Sequence, residues 1–175
     1  MQVLMLSLDK GILETDSAVQ RRLVALAEKT GEITVLVPGE RDEKRLVSEH
    51  LTVYSFGGAK IMQLWKMWRT GKRLLAFPPA PKLLPVRDTQ TGWRAGHLSL
   101  LTRVDLITVQ DPYFLGFLAV KLGGKFHVPV EVQVHGFEKL RGLRAHLAKF
   151  VLLRAHMVRV VSERLKRELD LRFTI

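Results

Sequence analysis

The sequence predicts an α/β fold in which a Rossmann-like parallel sheet is flanked by helices. Short runs of β-branched residues alternate with segments whose apolar residues recur at helical spacing, the pattern of βαβ units. The 175 residues are 47% hydrophobic, which is enough for one domain with its own core. Cysteine is absent, which excludes disulfides and thiolate chemistry and fits a cytoplasmic protein.

Six strands are predicted from the apolar runs, and the first is too short and too poor in basic residues to be a signal peptide. They are Val3–Leu8, Ile33–Val37, Leu51–Phe56, Leu106–Gln110, Val130–His135 and Met157–Val161. A seventh is predicted to begin at Arg172–Ile175, so we expect residues 1–170 to form the domain and 171–175 to start a further strand or an inter-domain link. A chain that stops there is expected to be the first part of a longer protein. No apolar stretch approaches the roughly 20 residues that span a bilayer.

Helix boundaries follow from capping residues between these strands. Asp16 or Ser17 caps the first helix, and Asp111-Pro112 starts a largely apolar helix over Tyr113–Leu122 that Gly123-Gly124 ends. Ser162 caps a last helix over Glu163–Leu169. Between Phe77 and Leu98 the Pro-rich sequence predicts a long loop with little regular structure.

The net charge of +11 is concentrated in two segments without acidic residues, Val53–Arg87 and Lys139–Arg159. Each predicts an amphipathic helix, Lys60–Leu75 and Arg141–His156. In the first, the predicted apolar face holds Ile61, Leu64, Trp65, Trp68 and Leu75, so the tryptophans taken singly are core candidates. In the second it holds Leu143, Leu147, Phe150 and Val151. The predicted cationic surface comprises Lys66, Arg69, Arg73, Arg141, Arg144 and Lys149, and it implies an anionic partner such as lipid headgroups, nucleic acid or a phosphorylated sugar.

His135 and Gly136 end the apolar run VPVEVQV. At the carboxyl end of a parallel strand, such a pair faces the crevice where open α/β sheets bind ligands. The alternative interpretation is a histidine that caps the strand and bonds to a nearby carbonyl.

The segment VDLITVQDPYFLGFLAVKLGGKFHVPVEVQVHGFEKLRG resembles the core of the N-terminal domain of GT-B glycosyltransferases of family 4. RAHMVRVVSERLKREL resembles the strand-to-helix step that follows in that family, and MQVLMLSLDKG and EITVLVPG resemble its first two strands. The resemblance extends from Met1 to about Leu169. It implies the N-terminal half of a GT-B fold.

The resemblance also implies a function, the transfer of a sugar from a nucleotide-sugar donor to a lipid-linked or glycan acceptor, with retention of configuration. His135 is then the candidate catalytic residue, and Gly136, Lys10, Gly11 and Asp111 are candidate substrate-binding residues. Lys10 and Gly11 are equally compatible with an ordinary turn, because the family's glycine-rich loop is reduced here to one glycine. No metal or other cofactor is implied. The nucleotide is expected to bind mainly to a second domain that is absent from this chain, so the isolated domain is expected to be inactive.

Three functions remain open at this point. The first is a hexosyltransferase-type domain, cytoplasmic and held peripherally on the inner face of an anionic membrane by its basic helices. The second is half of a sugar-nucleotide 2-epimerase, which shares the GT-B architecture. The third is a non-catalytic nucleic-acid-binding domain. This last is ranked lowest and no nucleic acid is expected as partner, because aromatic and basic residues do not interleave along a strand face.

Overall fold

A computed structural model of the protein describes residues 1–76, 86–88, 92–94, 104–136 and 142–173. The strands are β1 (Gln2–Leu6), β2 (Glu32–Pro38), β3 (Glu43–Ser48), β4 (Leu51–Phe56), β5 (Val86–Asp88), β6 (Gly92–Arg94), β7 (Leu106–Val109), β8 (Val130–Val134) and β9 (Met157–Val160). The helices are α1 (Ala18–Thr30), α2 (Lys60–Ala76), α3 (Phe114–Phe126), α4 (Leu143–Leu152) and α5 (Glu163–Phe173). The predicted α/β class is confirmed.

Seven strands form one sheet in the order β3-β4-β2-β1-β7-β8-β9. Every neighbouring pair is parallel except β3 and β4, which run antiparallel. The six predicted strands are the six parallel ones, with bounds that differ by at most one or two residues. Because these six strands run in one direction, their carboxyl ends share one edge, which we call the carboxyl edge.

Each face of the sheet has its own core, which explains why the central strand β1 is buried on both sides. Along β1, Val3 and Met5 join the core beneath α1, whereas Leu4 and Leu6 join the core beneath α2, α3 and α4. Helix α3 packs between α2 and α4. We call these three helices the helical layer.

The edge strand β3 was not predicted from the sequence. Its residues EKRLVS are exposed or only half-buried, so no apolar run marks them. Charged side chains on an edge strand are a common protection against pairing with another chain. The apolar run, the sequence signal that revealed the other strands of this sheet, is therefore missing here.

The predicted end of the apolar helix at Gly123-Gly124 is wrong, because α3 continues to Phe126 and ends at His127 in a left-handed conformation (φ 55°). Gly123 has a different role. A Cβ at this position would clash with the side chain of Val130 and would lie 2.7 Å from the carbonyl oxygen of Val128. The glycine therefore permits close packing of α3 on β8.

The predicted seventh strand is also wrong in its first part, because α5 continues through Phe173, and residues 174–175 lie outside the described residues. The helix begins as expected, since the Ser162 hydroxyl accepts a hydrogen bond from the Leu165 amide at 3.3 Å. Leu165 and Leu169 then pack into the core at helical spacing. The predicted division of the chain at residue 170 therefore falls inside a helix.

The remaining helix and loop boundaries differ less from those predicted from the sequence. Ser17, one of two proposed caps, accepts a hydrogen bond from the Gln20 amide at 3.0 Å and begins α1. Helix α4 is shorter at both ends than predicted. Most of the predicted loop over 77–98 lies outside the described residues, but it includes the antiparallel pair β5 and β6. In the described ranges, no helix combines the length and apolar character that crossing a membrane requires.

Candidate functional site

The carboxyl edge brings the candidate site residues to one side of the sheet. Strand β7 lies between β1 and β8, so the segment after β1 flanks Asp111 on one side and His135 lies on the other. With strands about 5 Å apart, the ends of β1 and β8 are about 10 Å from each other. A ligand of the size of a sugar can contact both.

His135 lies directly after the buried Val134 and is itself exposed. Val134 pairs with Val160 of β9, which fixes the point where the histidine leaves the sheet. In the described part of the chain, no group hydrogen-bonds to the His135 ring. The strand-cap interpretation therefore gains no support there, and the exposed ring is compatible with the crevice-facing interpretation.

Gly136 is exposed beside His135. A Cβ added at this position would meet no described atom within 4 Å. Packing within the described part of the domain therefore does not require glycine. The residue leaves open space next to the imidazole, which is compatible with close approach of a ligand to the backbone.

Lys10 and Gly11 lie in a 3-10 turn over Lys10–Leu13 that follows β1. The amide of Gly11 donates to the Asp9 carboxylate at 2.9 Å, and its carbonyl accepts from the Ser17 hydroxyl. Both backbone groups of Gly11 thus have partners within the turn, which favours the ordinary-turn interpretation over a phosphate-binding role. The exposed ammonium of Lys10 remains the candidate anion-binding group of this segment.

Asp111 is half-buried where β7 ends, and its carboxylate accepts a hydrogen bond from the Leu115 amide at 3.0 Å. Burial raises the pKa of this carboxyl, against the opposing effects of hydrogen bonds from backbone amides of α3 and the nearby charge of Arg144. The side chain therefore caps the start of α3, which begins at Phe114, one residue later than predicted. A role in substrate binding stays a prediction.

Two further polar residues of the carboxyl edge were not identified from the sequence. The fully buried Ser7 donates its hydroxyl proton to the side-chain oxygen of Gln110 at 3.0 Å and accepts from the Asp9 amide at 3.1 Å. This contact joins the ends of the two central strands β1 and β7. Both residues are the first polar ones after an apolar run, a signal that could have revealed them.

The predicted cationic surface is only partly assembled. Arg69, Arg73, Arg144 and Lys149 are exposed on the helical layer. Lys66 is not on this surface, because its ammonium bonds to the Asp42 carboxylate at 2.7 Å and to the Gly57 carbonyl at 3.0 Å. The hydrogen bond from the Lys66 ammonium, and a second one from the Gly57 amide, lower the pKa of Asp42. Arg141 lies outside the described residues.

The apolar faces of the two basic helices also differ from the prediction. Leu64 and Trp68 pack against the core as expected, together with the buried Met67, but Ile61 and Trp65 are exposed. The packed face is centred near Gly71, where an added Cβ would lie 2.7 Å from Leu122 of α3. Leu143 of α4 is likewise exposed rather than packed.

The fold is that of a Rossmann-like α/β domain with polar residues at its carboxyl edge. Residues 19–175 match the family model described as Glycosyltransferase Family 4, and because this match covers most of the chain, the protein belongs to that family. The resemblance identified from the sequence is confirmed, and the chain is an N-terminal glycosyltransferase domain. No curated protein matches the chain.

Proposed function

We propose that this chain is the acceptor-side half of a retaining, hexosyltransferase-type enzyme that uses a nucleotide-sugar donor. The observation that carries the proposal is the exposed His135 at the end of β8, in a chain that belongs to a glycosyltransferase family. An imidazole at this position can donate a hydrogen bond to a sugar hydroxyl or share a proton near neutral pH. Lys10 and Arg144 add positive charge at the same edge.

In the proposed reaction, the anomeric carbon exchanges the donor's phosphate oxygen for an acceptor hydroxyl oxygen. The acceptor's proton leaves with the released nucleotide phosphate. His135 orients the reacting sugar on the side that this domain supplies, whereas the nucleotide binds mainly to a second domain. No metal or other cofactor enters this proposal.

The test compares the 175-residue chain with a longer protein that adds the proposed donor-binding domain. Each is incubated with a set of nucleotide sugars, and released nucleotide is measured with glycan and lipid-linked acceptors. We expect turnover only in the two-domain protein. Turnover by the 175-residue chain alone would overturn the two-domain proposal.

We further propose that the protein works in the cytoplasm on the inner face of an anionic membrane, where a lipid-linked acceptor is available. Helices α2, α3 and α4 contain Lys and Arg but no Asp or Glu. The exposed cations Arg69, Arg73, Arg144 and Lys149 lie on this one layer, over the same face of the sheet. Each basic residue near an anionic surface adds on the order of 1 kcal/mol, so several acting together give useful binding.

A further inference from the structure

The amino-terminal end of α2 exposes three apolar side chains that no described part of the chain covers. Their exposed fractions are 84% for Ile61, 48% for Met62 and 52% for Trp65. The three together line a shallow depression of about 310 Å³. We call them the α2 patch. An apolar cluster on an otherwise charged helix indicates a binding surface.

The α2 patch continues directly into exposed positive charge. Ile61, Trp65, Arg69 and Arg73 follow one another at four-residue intervals, so they form a single ridge along the helix. The guanidinium of Arg69 lies 5.5 Å from the centre of the Trp65 ring. One exposed ridge is thus apolar at its amino end and cationic at its carboxyl end.

The position of α2 places this apolar end at the carboxyl edge of the sheet. Helix α2 begins at Lys60, four residues after β4 ends at Phe56. Strands β2, β1 and β7 separate β4 from β8, so the end of β4 is about 19 Å from that of β8, which carries His135. The α2 patch therefore lies at the same edge of the sheet as the proposed acceptor site, some distance to one side of it.

Charge decides which partner fits this surface. A second copy of this chain would bring another acid-free helical layer and another net charge of +11 against it, which electrostatic repulsion opposes. An anionic bilayer offers headgroups for the cations and an apolar interior for the three side chains. Tryptophan beside basic residues on an amphipathic helix suits this interface.

We propose that the α2 patch inserts into the acyl-chain region of an anionic bilayer while Arg69 and Arg73 bind its headgroups. This inference rests on the membrane association in the proposed function and adds to it an insertion step at defined residues. A lipid-linked acceptor in the same bilayer would then approach the site along the edge that carries the α2 patch.

The absence of cysteine permits a direct test on the whole 175-residue chain. Ile61→Cys and Leu46→Cys each provide one thiol for an environment-sensitive NBD label. Leu46, 68% exposed on the edge strand β3, is the matched control. With phosphatidylglycerol-containing vesicles, we expect a blue-shifted emission at position 61 that nitroxide groups on the acyl chains quench, and neither effect at position 46.

Co-sedimentation in the same samples separates the two proposals. If the protein pellets with anionic vesicles but the label at position 61 stays in water, insertion is overturned and electrostatic membrane binding stands. If the protein stays in solution, both membrane proposals are overturned, whereas sugar transfer is tested independently by turnover. Equal quenching at positions 46 and 61 would overturn the assignment to the α2 patch.

A second pair of variants tests the energetics. Ile61→Asp and Leu46→Asp change the net charge equally, and circular dichroism verifies that both are folded. Loss of one inserted aliphatic side chain should weaken vesicle binding roughly tenfold more in Ile61→Asp than in Leu46→Asp. Equal losses in the two variants would show that only charge matters and would overturn insertion.

Discussion

His135 illustrates how a single side chain can contribute to function without contributing to the core. It follows the fully buried Val134 of β8, yet its own ring is exposed and, among the described residues, makes no hydrogen bond. Its removal therefore leaves no cavity and no unsatisfied buried partner in that part of the domain. Activity and stability should respond separately at this position.

We predict that His135→Ala lowers kcat/KM of the two-domain enzyme by about 100-fold or more, because a group that shares a proton with the reacting sugar is lost. The free energy of unfolding should change by less than about 0.5 kcal/mol, as for other exposed positions. Steady-state kinetics and urea unfolding provide the measurements. His50→Ala is the control, since His50 is exposed in the β3–β4 turn at the opposite edge of the sheet.

Asp111 gives a prediction about pH. Burial raises its pKa in the folded state, so the folded protein binds this proton more tightly than the unfolded chain. Its contribution to stability is therefore fully present below the unfolded pKa of about 3.9 and is lost as pH rises through the folded pKa. Relative to Asp111→Asn, the wild-type domain should lose stability over that window, as measured by thermal unfolding at successive pH values.

The Asn variant retains an oxygen that can accept from the Leu115 amide, so it isolates the titration from the cap. Asp111→Ala removes the cap as well and should cost about 1 kcal/mol relative to Asn. A wild-type stability that runs parallel to that of Asp111→Asn through the whole window would contradict the assigned pKa shift.

At the scale of elements, two neighbouring glycines of α3 differ in whether they face β8. Gly123 faces Val128 and Val130, whereas a Cβ on the exposed Gly124 would meet nothing within 4 Å. The same substitution at the two positions therefore separates tertiary packing from helix propensity.

We predict that Gly123→Ala destabilises the domain by roughly 1–3 kcal/mol, because its Cβ forces α3 away from β8. Gly124→Ala should instead stabilise it by up to about 1 kcal/mol, because alanine favours the helix more than glycine does. Urea unfolding of both variants measures the difference. Stabilisation by both substitutions would show that the close approach of α3 to β8 is absent.

For the whole molecule, the distribution of charge matters more than its sum. Helix α1, over one face of the sheet, contains Glu28 beside its cations, whereas the helical layer over the other face contains no acidic residue. Two pairs of arginines, one pair over each face of the sheet, allow this asymmetry to be tested. Replacing either pair changes the net charge of the protein by the same amount. Arg69 and Arg73 lie on α2, and Arg21 and Arg22, which are also exposed, lie on α1.

We predict that the double variant Arg69→Gln, Arg73→Gln binds anionic vesicles about 30-fold more weakly, from about 1 kcal/mol for each charge near the surface. The control Arg21→Gln, Arg22→Gln should bind nearly as well as the wild type. Binding should also weaken with salt, since exposed charges are screened beyond about 8–10 Å. Equal losses in both variants would indicate attraction to net charge alone, and tight salt-dependent binding to random duplex DNA would favour the nucleic-acid alternative.

The sequence by itself determined the elements whose signal is local. Strand β1 is buried along its whole length, whereas β4 and β8 bury apolar residues mainly at alternate positions, and both kinds of burial are visible in the sequence. The end of β8 placed His135 at the carboxyl edge for the same reason. The acid-free segments were evident from composition alone, and the family was recognisable from the order of its motifs.

Only the tertiary structure decided what depends on residues distant in the chain. Strand β3 is held by pairing with β4 and not by burial, Lys66 meets Asp42 across 24 positions, and Gly123 is required by Val130 of the neighbouring strand. Helical periodicity placed Ile61 and Trp65 near the packed side of α2, but the position of α3 against Gly71 left both exposed. Periodicity shows that a helix has two faces, whereas the direction each face takes is set by what packs against it.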